Sequence, residues 1–102
     1  MKNSQNKAIE FIKISDEDGI KIVFPQKDLV DEISIGLCQI FDELLTSGHS
    51  KFKIDFSKVN KIDTIGVGAI ILLKRKTLEG GEMSLIKMNA KINNFFSLIL
   101  KK

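Results

Sequence analysis

The chain contains no tryptophan and no tyrosine, one proline, one cysteine and one histidine. Each scarcity excludes something. With Cys38 as the only thiol no intrachain disulfide can form, and a reducing, cytoplasmic setting is expected. With His49 as the only imidazole, on a polar loop, a cluster of zinc ligands is nearly excluded, so no metal is expected. Base stacking would rest on phenylalanine alone, and the 16 basic residues are scattered along the chain for a net charge of only +3. Nucleic-acid binders concentrate positive charge on one element, so no nucleic-acid partner is expected. No apolar run approaches the roughly 20 residues of a membrane-crossing helix. The polar start MKNSQNKAIEF lacks the apolar centre of a secretory signal, so no membrane insertion is expected.

What is present is ordinary for a globular protein. The chain has 102 residues, 43% of them hydrophobic and 28% charged, which predicts a single domain over residues 1–102. Ala8 to Ile14 alternates loosely and reads as a strand, Asp16 to Gly19 as a turn, and Ile20 to Phe24 as a second strand that Pro25 stops. Asp28 reads as the N-cap of a helix running to about Thr46, with Ile33, Leu37, Ile40, Phe41, Leu44 and Leu45 on its apolar face. Lys51 to Phe56 alternates as a third strand. A second helix is expected from about Asp63 to Leu78, so apolar all round in its first three turns that burial on most sides is predicted. Gly80 and Gly81 stop it. Glu82 to Met88 reads as a fourth strand, and Asn89 as the cap of a last helix. The order β-β-α-β-α-β-α implies an α/β fold, a mixed sheet of about four strands with helices packed on it.

The most informative stretch is Asp63-Thr64-Ile65-Gly66-Val67-Gly68, which opens the second helix. The first N–H groups of a helix lack internal partners and its dipole is positive there, so Asp63 or Thr64 can serve as a cap. Capping does not explain two glycines in the first turns. Glycine removes side chains and lets another surface approach the backbone. A hydroxyl at a helix N-terminus is also a favourable place for a phosphate. Together these residues imply a contact surface with a modifiable group at its centre.

Read with its surroundings, this stretch resembles the STAS domain, the fold of bacterial anti-sigma factor antagonists. The resemblance rests on Phe52 to Ile86. An apolar strand ends in Asp55, a short loop leads to Asp63-Thr64-Ile65-Gly66-Val67-Gly68 where the family reads Asp-Ser-Ser-Gly-Leu-Gly, and a turn at Gly80-Gly81-Glu82 precedes another strand. In the family, the first hydroxyl residue after that aspartate is phosphorylated by a partner kinase that is also the anti-sigma factor. The unmodified form captures this partner and the modified form releases it. The resemblance thus implies a non-catalytic module with Thr64 as phosphoacceptor, Ile65 in place of the family's second hydroxyl, and Asp28 as the acidic residue near the acceptor. The implied partner-binding set is Asp28, Asp63, Thr64, Ile65, Gly66, Val67 and Gly68. Pro25 and Lys27 stand where the family commonly has glycine and leucine.

A second reading stays open. Some STAS proteins are small subunits bound to the ATPase of a phospholipid-transporting ABC system, and these often read Asp-Thr-Ala-Gly at the motif. There the threonine is a structural contact and no switch is needed. An enzyme is not expected, because no base accompanies Asp63 and Thr64. Gly66 and Gly68 lack the third glycine of a dinucleotide loop, so no cofactor is expected. Family members usually continue past the third helix into another strand and a closing helix. The last helix is therefore expected to expose a patch at Phe95, Leu98 or Leu100, open to a partner or to a homodimer contact.

Overall fold

The computed structural model describes residues 7–100. Residues 1–6, most of the stretch read for a secretory signal, lie outside them. A short 3-10 helix, Lys7–Phe11, leads into β1 (Ile12–Glu17) and β2 (Ile20–Pro25). Then come α1 (Asp31–Thr46), β3 (Lys51–Asp55), α2 (Thr64–Lys76), β4 (Glu82–Ile86) and α3 (Ala90–Ile99). The sheet order is β1-β2-β3-β4. The β1–β2 pair is antiparallel, while β2–β3 and β3–β4 are parallel. This is the mixed four-stranded α/β arrangement that the alternation of strands and helices predicts.

The hairpin closes on Asp18 and Gly19, whose φ angles are 55° and 84°. Positive φ at both central residues is the twist-matched two-residue turn for which Asp-Gly is suited. The expected strand from Ala8 is corrected: the strand begins only at Ile12, its one buried residue, and the residues before it coil into the 3-10 helix. Pro25 does not break the hairpin either. It faces Ile12 in register, and the next residue, Gln26, donates its N–H to the Phe11 carbonyl at 2.7 Å. Donors alternate sides along a strand, so the proline nitrogen points toward β3, where the parallel pairing has already ended at Val23.

Val23, Phe52 and Ile54 are buried from the sheet, and Leu37, Ile40, Phe41, Ala69, Ile70 and Leu73 from α1 and α2. Phe41 meets Phe52 edge-on, with ring centroids 6.3 Å apart. The third helix is pinned by Ile92 and Phe96, the latter packing edge-on against Phe56 at 6.0 Å. The expected stop of α2 near Leu78 at Gly80 and Gly81 is corrected: α2 ends at Lys76 with Thr77 as its C-cap, and Gly80, at φ 80°, lies in the turn that follows. A Cβ on Gly81 would fall 2.4 Å from the Ser50 carbonyl oxygen, so only glycine fits against the strand there.

The expected burial of α2 on most sides is corrected. Gly66, Ala69, Ile70 and Leu73 face inward, but Ile65 is 46% and Leu72 54% exposed. Leu72 borders a shallow cavity between α1 and α2 whose other lining includes Cys38 and Phe41. The expected patch on α3 is present at Phe95 (42% exposed) and Leu98 (76%), whereas Leu100 packs against the core. Among the described residues, no helix is long and apolar enough to cross a membrane.

Candidate functional site

The loops leaving the carboxyl ends of β2 and β3 lie side by side and lead into α1 and α2. In open α/β sheets this end of the parallel strands is where ligands bind. The loops are paired like strands. Leu29 donates its N–H to the Lys61 carbonyl at 2.9 Å, and Asp63 donates its own to the Leu29 carbonyl at 2.8 Å. Leu29 and Ile62 thus form an isolated parallel bridge.

Asp63 is the N-cap of α2, with extended backbone, and its Oδ1 accepts the Gly66 N–H at 2.9 Å. The same carboxylate also reaches α1. Oδ2 accepts the Asp31 N–H at 2.7 Å, and Oδ1 accepts the Ser34 hydroxyl at 2.6 Å. One side chain therefore caps two helices. Asp31, at φ 54°, turns its N–H toward that carboxylate. Aspartate is among the few non-glycine residues that tolerate this conformation. Burial pushes the Asp63 pKa up, but the hydrogen bonds from Ser34, Gly66 and Asp31 together outweigh it and hold the carboxyl below the usual carboxylate range.

The expectation that Asp28 caps α1 is corrected. The N-cap position is Val30, which makes no side-chain capping bond. Asp28 Oδ1 instead accepts the N–H groups of Asn60 at 2.7 Å and Lys61 at 3.2 Å, bracing the loop before Asp63. The capping work passes to Asp63, 32 positions beyond the Asp31 N–H that it accepts. Sequence reasoning also missed Ser34, which is fully buried. A serine within the apolar stripe of an amphipathic helix needs a buried acceptor, and that mismatch was the available signal.

Thr64 is the first residue of α2 and is exposed, as is Ile65. The two glycines differ. A Cβ on Gly66 would come within 2.8 Å of Ile62 Cγ1 and 3.0 Å of Ser34 Oγ, so this glycine serves the approach of α1 and the preceding loop. Gly68 is exposed, and a Cβ there would meet nothing within 4 Å. Val67 is half-buried against the core. The surface around Thr64 thus carries Ile65 and Gly68, with Leu72 further along α2.

No protein-family model matches the sequence, and comparison with curated proteins finds no match. Solved structures do match. A crystal structure from Thermotoga maritima, assigned as an anti-sigma factor antagonist, superposes with a TM-score of 0.79 at 26% identity, covering 90% of this chain and 80% of that one. The anti-sigma factor antagonist SpoIIAA in its unphosphorylated form gives 0.75 at 12% identity, over 85% of this chain and 82% of that one. The fold is that of a STAS domain. SpoIIAA of Bacillus, the cell fate determinant, also matches in its phosphorylated form, with a TM-score of 0.73 at 10% identity over 87% of this chain and 83% of that one. The chain described here shares the sheet and helix arrangement of these neighbours.

Proposed function

We propose that this STAS domain is a non-catalytic regulatory module that captures an anti-sigma factor with serine/threonine kinase activity through the start of α2. Phosphorylation of Thr64 switches the capture off. The observation that carries this reading is the position of Thr64, exposed at the first turn of α2 and next to the fixed carboxylate of Asp63. A kinase approaching this surface meets an accessible Oγ. It transfers the γ-phosphoryl group of ATP to that oxygen, the hydroxyl proton is lost, and ADP leaves. The existence of a phosphorylated form of SpoIIAA is in keeping with this proposal.

The magnitudes favour an on–off contact over a rearrangement of the domain. A phosphate brings about 1.5 to 2 negative charges at neutral pH. A helix N-terminus favours an anion by about 0.3–1 kcal/mol, so the fold tolerates the modification. In a packed interface the same dianion must lose its water beside Asp63. A penalty of about 4 kcal/mol there weakens binding about 1000-fold. Thr64→Glu is expected to keep the circular dichroism spectrum and thermal midpoint while weakening the complex with the anti-sigma factor, and Thr64→Ala to bind normally while resisting phosphorylation. An unchanged dissociation constant for Thr64→Glu would refute the switch.

A further inference from the structure

A groove of about 640 Å³ runs between α3 and the loops that precede α1 and α2. Val30, Ile62, Phe95 and Leu98 give it apolar walls, Lys61 and Lys91 give it positive charge, and no carboxylate lines it. The nearby carboxylate of Asp28 is turned to the backbone N–H groups of Asn60 and Lys61. Between Met83 and the end of the chain there is no acidic residue at all. Among the described residues, then, the lining of the groove is basic and carries no acidic side chain.

We infer that this groove receives an acidic amphipathic helix of a partner protein. The inference rests on the reading that the domain docks a protein, and is independent of the phosphoswitch. The occupant's chemistry follows from the lining: apolar side chains repeating along one face for Phe95, Leu98, Ile62 and Val30, flanked by carboxylates for Lys61 and Lys91. A small ligand is disfavoured because small-molecule sites bury about 70–90% of what they hold, and here Leu98 stands 76% exposed in the wall. A laid-in helix keeps its other face in water and does not need closure. An extended peptide would add to a sheet edge, whereas these walls come from a helix and two loops. A second copy placed symmetrically on this face would set Lys61 and Lys91 against themselves. The groove adjoins the start of α2 through Lys61 and Ile62, so one partner can span both surfaces.

The test uses the full chain and two synthetic helical peptides of about 18 residues, long enough for several turns. Both carry leucine at the i, i+3, i+4 and i+7 positions; one has glutamate and the other lysine on the flanks. By fluorescence anisotropy the glutamate peptide is expected to bind at least about tenfold more tightly than the lysine peptide, and to weaken as salt rises. Amide NMR shifts are expected to centre on Lys61, Lys91, Phe95 and Leu98. The double variant Lys61→Glu/Lys91→Glu is expected to reverse the preference, an outcome that misfolding cannot produce. Equal affinity for both peptides, no binding, shifts centred elsewhere, or sedimentation showing that a second copy covers the groove would each overturn the inference. Failure here with the Thr64→Glu result intact removes the groove alone; the reverse outcome removes the switch alone.

Discussion

The two helices that flank the candidate site begin in opposite ways. At α2 the cap is local: Asp63 stands one residue before the helix and accepts the Gly66 N–H three residues on. At α1 the residue in the cap position, Val30, offers no side-chain acceptor, and the helix borrows the Asp63 carboxylate through Asp31 and Ser34. A local cap stabilises one helix. A shared one also fixes where two helices sit relative to each other, because neither N-terminus can shift without losing a partner. The surface around Thr64 is thus held by tertiary contacts as well as by the helix that carries it.

The largest effect is expected where this sharing is removed. Asp63→Ala deletes the cap of α2, uncaps Asp31 and strands the buried Ser34 hydroxyl, at a cost of about 2–4 kcal/mol, measurable by chemical denaturation. The wild type should also lose stability more steeply in acid. The unfolded carboxyl protonates near pH 3.9 and the folded one lower, so the unfolded state binds more protons in that window. The Asp63 contribution is therefore present above about pH 4 and is lost as pH falls through the folded pKa. The alanine variant should lack that component of the acid limb.

Substituting the glycines sharpens the contrast between inward and outward contacts. Gly66→Ala drives a methyl into Ile62 and Ser34 and should destabilise by about 1–3 kcal/mol. Gly68→Ala, with open space around it, should stabilise by about 0.5–1 kcal/mol while weakening partner capture, read by denaturation and by titration with the partner. A modest loss of stability, with no change in helix content, is expected for Asp28→Ala. The substitution frees two N–H groups that solvent can reach and should cost about 1 kcal/mol, with the α1 signal in circular dichroism unchanged because Asp28 does not cap that helix.

What could be read from the sequence follows from how far apart the interacting residues are. Asp18-Gly19, the Asn89 cap and the alternation of Phe52 and Ile54 are governed by neighbours, and each was legible. The start of α1 was not, because its acceptor comes from the other side of β3, and a sequence window sees only the nearer Asp28. The exposure of Ile65 and Leu72 was hidden for a different reason. Apolar residues on every face imply burial only if enough structure exists to cover them, and the sheet and α1 cover one side of α2. The two glycines looked equivalent in the motif, yet Gly66 answers to Ser34 and Ile62 while Gly68 answers to nothing within the domain.

The bridge between Leu29 and Ile62 has a consequence for how such a domain can vary. Insertions are ordinarily tolerated in connections of this kind, since each is only a link between a strand and a helix. Here a residue added to either connection would slide Leu29 against Ile62 and carry Asp31 out of reach of residue 63. The two segments, some thirty positions apart along the chain, must keep their lengths together.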